Sequence, residues 1–122
     1  MRLIVPLCTA LALPLPAFGD PALVVGAVAT QTGGDWTFAV TIAHADTGWD
    51  DYADGWRVEH VDGTVLATRV LHHPHVDEQP FTRSLSGVEL PEGMTQVMIR
   101  TRTNVEGWDG AAFGPFTLLP AD

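Results

Sequence analysis

Three histidines and two carboxylates fall within seven residues of this 122-residue chain, a denser group of reactive side chains than elsewhere in the sequence. The run reads His72, His73, Pro74, His75, Val76, Asp77 and Glu78. Neutral imidazole binds copper, zinc, nickel or iron near neutral pH, and carboxylates complete such sites. The run therefore predicts a site for a divalent transition metal, Cu(II) or Zn(II), if the fold brings further ligands to it.

Within the run, His73 and His75 are the pair best placed to act together. Alternate side chains of an extended chain point the same way, and Pro74 stiffens the link between the two. We expect them to act with His44, and His72 stands in reserve. The carboxylates expected to complete the metal site are Asp46, Asp50, Asp77 and Glu78.

Two other interpretations fit these residues. Loop histidines beside acids can instead hydrogen-bond carboxylates and backbone carbonyls and so hold their loop in place. Calcium ranks below a histidine-ligated metal, because hard oxygen ligands are plentiful but are not spaced as in an EF-hand. The oxygen donors concerned are Asp46, Asp50, Asp51, Asp54, Glu106 and Asp109.

Aromatic side chains accompany the acids in the loops. Trp49, Tyr52 and Trp108 would form an exposed platform for a sugar ring or a protein side chain, with Asp109 accepting hydrogen bonds. The alternative function is therefore a protein- or glycan-recognition module in which the histidines are structural. Loop tryptophans also serve to cap the end of a core, and that interpretation stays open.

Catalytic motifs are absent from the sequence. It contains no glycine-rich phosphate cradle, nucleophile elbow or zinc-protease motif. The two serines, Ser84 and Ser86, fall in or beside a predicted strand away from the histidine run. We therefore expect a non-catalytic binding domain.

The first 19 residues have the pattern of a cleaved secretory signal peptide, namely Arg2, an apolar run and a small-residue site before Asp20. The run is interrupted by Pro14 and Pro16 and falls short of the roughly 18 to 20 apolar residues of a membrane-spanning helix. We expect one domain over 20–122, exported to a periplasm or the extracellular space, with no membrane insertion of the mature chain.

Cysteine and charge narrow the possible functions. Cys8 follows Leu7 rather than a small residue, which disfavours a lipid anchor, and its loss with the signal leaves no thiol for disulfides or metal sites.

The mature chain has five arginines, no lysine and fifteen acids, a net charge of −10. This balance opposes binding of nucleic acid and anionic lipid and favours cations or basic partners. An acidic surface that only promotes solubility is the alternative explanation.

Seven short segments with alternating or β-branched residues predict an all-β fold, and no segment predicts a helix. The predicted strands are 22–30, 36–44, 55–61, 64–71, 81–86, 96–103 and 113–119. Seven antiparallel strands in about 100 residues indicate an immunoglobulin-like or fibronectin-type β-sandwich. Trp56 resembles the strand-C tryptophan that packs across the core of immunoglobulin-like domains.

Side-chain parity orients two of these strands. Alternate residues of strand two, from Trp36 to Ile42, are expected in the core, and His44 continues that buried side. Strand six directs Arg100 and Arg102 outward, where we expect them to meet acids on a neighbouring strand.

Short turns and long loops alternate along the chain. Gly33-Gly34, Asp62-Gly63 and residues 91–93 make plain turns, whereas 45–54, 72–80 and 104–112 are long, aromatic and acidic. If consecutive strands run alternately up and down, the three long loops lie at one end of the sandwich. The histidine run would then share that end with His44, and His60 would lie at the other.

Overall fold

Seven antiparallel β-strands in two sheets make up the fold of the computed structural model, which describes residues 20–108, 110 and 112–121. The strands are β1 (Leu23–Thr32), β2 (Asp35–Ala43), β3 (Ala53–Glu59), β4 (Val65–Val70), β5 (Phe81–Val88), β6 (Gln96–Thr103) and β7 (Ala112–Thr117). Across these ranges there is no helix, and so none long and apolar enough to cross a membrane. The prediction of an all-β chain with seven antiparallel strands is confirmed. The signal peptide and Cys8 lie outside the described residues.

The chain crosses repeatedly between the two sheets. One sheet has the order β1-β2-β5 and the other the order β4-β3-β6-β7, and every neighbouring pair is antiparallel. The connections after β2, β4 and β5 pass from one sheet to the other. The long loops after β2 and β4 are therefore crossings between sheets, whereas the loop after β6 joins two strands of one sheet.

Strand parity builds the core between the sheets. Phe38, Val40 and Ile42 of β2 are almost fully buried, and they belong to the same apolar cluster as Trp56 of β3 and Ile99 of β6. The alternation predicted for strands two and six is confirmed. Burial of apolar surface stabilises the folded chain by about 25 cal/mol for each Å² withdrawn from water. This cluster therefore holds the two sheets together.

The short turns and the long loops separate to opposite ends, as the alternation predicted. His60 lies at the turn end, where its N–H donates to Thr64 O across the β3–β4 turn over 2.8 Å. Gly63 in that turn has φ +95°, a conformation that side-chain-bearing residues rarely adopt. The loops after β2, β4 and β6 meet at the other end, called here the loop end.

Phe38→Ala tests the core directly. Deleting a fully buried phenylalanine side chain loses its transfer free energy and leaves a cavity, so we expect a loss of about 3–5 kcal/mol in unfolding free energy. Urea denaturation measures it. Val65→Ala, at an exposed position of β4, is the matched control and should change stability by no more than about 0.5 kcal/mol.

Candidate functional site

A single buried carboxylate, that of Asp46, joins two of the three loops. Its Oδ1 accepts a hydrogen bond from the Ala53 N–H over 3.0 Å and lies 2.6 Å from Nδ1 of His44. Its Oδ2 accepts from the backbone N–H of His75 over 2.8 Å. Asp46 thus fixes the start of β3, the end of β2 and the histidine run at one point.

His44 is buried beside Asp46, as the parity of β2 predicted. Its other ring nitrogen, Nε2, lies 3.6 Å from Oδ1 of Asp51, so both nitrogens face carboxylates. Its backbone N–H donates to Oε1 of Gln79, and Nε2 of Gln79 donates to His75 O, each over 3.0 Å. These bonds give His44 a structural role in this arrangement and close the loop after β4 onto β2.

His75 has one ring nitrogen engaged and one without a partner. Its ring stacks on Phe81 with the centroids 3.9 Å apart, and Nη2 of Arg83 lies 2.8 Å from Nε2. Because a guanidinium can only donate, Nε2 is the acceptor and Nδ1 carries the proton. That Nδ1 is buried and forms no hydrogen bond within the described residues. Burial, then the charges of Arg83 and His73, lower the pKa of His75 from its ordinary value.

The remaining predicted metal ligands are spread over the surface of the loop end. The ring of His73 is exposed and lies 4.7 Å from that of His75, so this pair does share a side. His72 turns to a different pocket, described below. Asp50, Asp77 and Glu78 are exposed. Within residues 20–108, 110 and 112–121, no three His, Cys, Asp or Glu side chains are arranged to hold a metal ion.

Asn104 ties the third loop to the first. Its side-chain nitrogen donates to Trp49 O over 2.8 Å, and its Oδ1 accepts from the Tyr52 N–H over 2.9 Å. Its own N–H donates to Tyr52 O over 3.2 Å. Three bonds from one residue fix the backbone that carries both loop aromatics.

The loop aromatics divide into an exposed side chain and two that line a pocket. Trp49 is 66% exposed and lies edge-to-face against Tyr52, with ring centroids 5.6 Å apart. Tyr52 and Trp108 line a pocket of about 330 Å³, called here the aromatic pocket. The other lining residues are Asp54, Gly55, Thr68, Arg69, Val70, Leu71, His72 and Arg102.

Trp108 packs beside Gly55 on the outer face of β3. A Cβ at Gly55 would approach Cη2 of Trp108 to 3.4 Å and Arg69 O to 3.3 Å. The guanidinium of Arg57 lies 4.4 Å from the indole centroid, and that of Arg102 lies 6.0 Å away. Such cation–π contacts hold the ring in place.

Arg57 is itself anchored by Glu59, whose side chain is only 2% exposed. Oε2 of Glu59 accepts from Nε of Arg57 over 2.6 Å and from Nε of Arg100 over 2.9 Å. Burial would raise the pKa of Glu59, but the two arginines outweigh it and lower the pKa from its ordinary value. The expectation that Arg100 and Arg102 meet acids is confirmed, since Arg102 pairs with Asp54.

Among the residues that line the aromatic pocket, Asp54 has a buried oxygen without a partner in the described part of the chain. The guanidinium of Arg69 points to the opposite face of the sheet, since Arg69 lies opposite the core residue Trp56. Oδ1 of Asp54 is buried and accepts no hydrogen bond from the described residues, and burial raises the pKa of this carboxyl despite Arg102. Nε of Arg69 donates to Ser84 O over 2.9 Å and Nη1 to Val70 O. No carboxylate of the described chain lies within ion-pair distance of Arg69.

Sequence reasoning found the loops but missed several side chains that organise them. Parity placed His44 correctly, yet Gln79, Arg83 and Asn104 have no signal in the sequence, because their partners are distant along the chain. Asp54 had a signal, since the sequence placed it among the oxygen donors of the first long loop. Asp109, predicted to bind a partner, lies outside the described residues.

Comparison with known proteins adds one relative. Over 75 residues, 62% of this chain, the sequence is 45% identical to a protein of Halomicrobium mukohataei named "Putative lipoprotein". The match covers 36% of that relative, so the chain spans about a third of its length. No family model and no solved structure matches the chain.

Asp46→Ala should destabilise the domain by about 3–5 kcal/mol, because it leaves two buried N–H groups and the His44 ring without their acceptor. Urea denaturation checks this, with the exposed Asp50→Ala as the matched control. A loss of less than about 1 kcal/mol would contradict the central role of Asp46.

His75 should make stability depend on pH. Since its pKa is lower in the folded than in the unfolded chain, the unfolded chain binds more protons as the pH falls below the ordinary value of 6.5. Stability should therefore decrease on acidification through that region. The unfolding free energies of the wild type and of His75→Gln are compared at pH 7.5 and at pH 5.0. The difference between them should shrink or reverse at the lower pH. A difference that is the same at both pH values contradicts the assignment.

Proposed function

We propose that this protein is an exported, non-catalytic recognition module that binds a neutral carbohydrate in the aromatic pocket. One observation carries the proposal: Tyr52 and Trp108 line the same pocket as the polar residues Asp54, Thr68, His72 and Arg102. A pocket of about 330 Å³ is within the usual range of roughly 300–1,000 Å³ for small-ligand sites.

The polar groups of the pocket suit a sugar hydroxyl. A hydroxyl both donates and accepts, so it suits the hydroxyl of Thr68, the imidazole of His72 and the guanidinium of Arg102. The apolar face of a sugar ring would pack on Tyr52 or Trp108. Other surface depressions of about 400 and 430 Å³ have no tryptophan, tyrosine or phenylalanine in their walls, which favours the aromatic pocket over them.

Trp49 extends the same surface beyond the pocket. Its ring is exposed and contacts Tyr52, so a chain of sugars that leaves the pocket would meet a second aromatic face. The backbone below it is fixed by Asn104 and Asp46. Since these loops are already ordered, binding incurs little of the entropy loss that flexible loops suffer.

The fold and the destination of the protein belong to the same proposal. We assign the domain to immunoglobulin-like, fibronectin-type sandwiches, because the fourth strand pairs with the third in the sheet of β6 and β7, where variable-type immunoglobulin domains add a strand.

The name of the Halomicrobium relative supports export. Whether Cys8 leaves with a signal peptide or carries a lipid is decided by mass spectrometry of the mature N-terminus.

Binding of Cu(II) or Zn(II) is the second candidate function, favoured by one observation. Nδ1 of His75 is buried and has no hydrogen-bond partner among the described residues, and the exposed His73 ring lies beside it. A metal at this pair would need Nδ1 deprotonated, with the proton moved to Nε2 and Arg83 displaced from it. The aromatic pocket needs no such rearrangement, which is why carbohydrate binding ranks first.

Saccharide binding is tested with a panel of neutral polysaccharides, namely β-glucan, α-glucan, xylan and mannan, by affinity electrophoresis and tryptophan fluorescence. We expect at least one to bind. Tyr52→Ala and Trp108→Ala should each weaken that binding about tenfold or more, the effect of losing roughly 1.4 kcal/mol. Val65→Ala is the control. Lack of binding across the panel, or binding that both variants leave unchanged, contradicts the proposal.

Metal binding is tested by calorimetric titration of the same protein with Cu(II) and Zn(II). If the second candidate holds, His73→Ala and His75→Gln abolish the binding heat while His60→Ala leaves it unchanged. Affinity should fall as the pH drops below about 6, since ligation requires neutral imidazole. A wild-type titration without heat, or heat that survives both variants, excludes this site.

A further inference from the structure

Two charged side chains outside the aromatic pocket are linked to one of its walls. Trp108 lines the pocket, whereas Arg57 and Glu59 do not. The guanidinium of Arg57 lies over the indole of Trp108, and Nε of Arg57 donates to Glu59. The side chain of Glu59 is only 2% exposed, so it is too deeply buried to touch a ligand. A buried carboxylate is therefore connected, through one arginine, to a ring that a ligand would contact.

The position of the Trp108 ring depends on its neighbours, because the residue belongs to the loop after β6 and not to a strand. Cη2 of the indole adjoins Gly55, which has no side chain to hold it. Of the two cations near the ring, Arg57 lies 4.4 Å from the centroid and Arg102 lies 6.0 Å from it. A cation–π contact weakens with distance, so Arg57 makes the stronger of the two.

The position of Arg57 depends in turn on Glu59. Arg57 of β3 lies directly opposite Arg100 of β6, and like charges in this arrangement repel each other. Oε2 of Glu59 accepts a hydrogen bond from Nε of each arginine, over 2.6 and 2.9 Å. One carboxylate therefore allows the two guanidinium groups to lie side by side.

Loss of that carboxylate charge would move Arg57 more readily than Arg100. Nη1 of Arg100 also donates to Gly110 O over 2.7 Å, which gives this arginine a second anchor. A charge that loses its partner in a partly buried position moves toward water. The movement would take the Arg57 guanidinium away from the indole of Trp108.

We infer that Glu59 and Arg57 are positioning residues of the aromatic pocket: Glu59 orients Arg57, and Arg57 holds the Trp108 ring where it can pack against a sugar. The inference rests on the proposed function. A ring that is fixed before binding loses no freedom when the ligand arrives, which makes the complex tighter. Release of the ring should weaken binding even though the lining residues are unchanged.

The position of Trp108 is measured first, in the ligand-free protein, from nuclear Overhauser effects between its indole protons and the Hα protons of Gly55. Arg57→Ala and Glu59→Gln should both weaken these signals, because the ring leaves its place beside Gly55. Glu89→Gln, the same change at an exposed glutamate between β5 and β6, should leave them unchanged. Full signals in Arg57→Ala and Glu59→Gln would overturn the inference.

The second measurement is the affinity for a polysaccharide of the panel that the wild type binds. Arg57→Ala and Glu59→Gln should each weaken binding about threefold to tenfold. Arg57→Lys, which keeps a cation beside the indole, should retain more affinity than Arg57→Ala, and Glu89→Gln should bind like the wild type. Circular dichroism checks that each variant is folded.

The outcomes separate this inference from the proposed function on which it rests. Wild-type binding that Arg57→Ala and Glu59→Gln leave unchanged overturns the positioning role and leaves the proposed function standing. Weaker binding by both variants, together with weaker Overhauser signals from Trp108, supports the inference. A wild type that binds none of the polysaccharides overturns the proposed function and the inference with it.

Discussion

The carboxylate of Asp46 is the constraint on which the loop end depends. A buried charge is stable only when hydrogen-bond donors surround it, and Asp46 receives those donors from His44, Ala53 and His75. The three residues belong to the end of β2, the start of β3 and the loop after β4. The requirement to satisfy one anion thus becomes a requirement that two loops adopt a fixed relative position.

The remaining interactions of the loop end follow from that position. With the first loop fixed, Asn104 can bond Trp49 and Tyr52 across to the third loop, and Tyr52 comes to line the same pocket as Trp108. Of the histidines that stand out in the sequence, His44 and His75 contact Asp46, whereas His72 and His73 are exposed. The pocket combines the two aromatic rings of Tyr52 and Trp108 with the polar residues Asp54, Thr68, His72 and Arg102.

Local pattern was enough to predict the strands, the burial of His44 and the gathering of the loops, because strand parity and antiparallel connectivity act on neighbouring residues. Pattern also identified Trp49, Tyr52 and Trp108 as loop aromatics. It did not reveal that Asp46 is the centre of the loop end or that Arg83 contacts His75. Those contacts depend on how three loops fold over one another, and a single sequence contains no record of such distances.

Carbohydrate binding at the aromatic pocket is tested most directly by following the indole N–H signals of the four tryptophans by NMR during addition of a neutral oligosaccharide. Trp36 and Trp56 are buried in the core and serve as internal controls, whereas Trp49 and Trp108 lie at the loop end. The account predicts that the signals of Trp49 and Trp108 shift in a saturable way while those of Trp36 and Trp56 stay fixed. Signals that all remain unchanged, with oligosaccharides of every type in the panel, would contradict it.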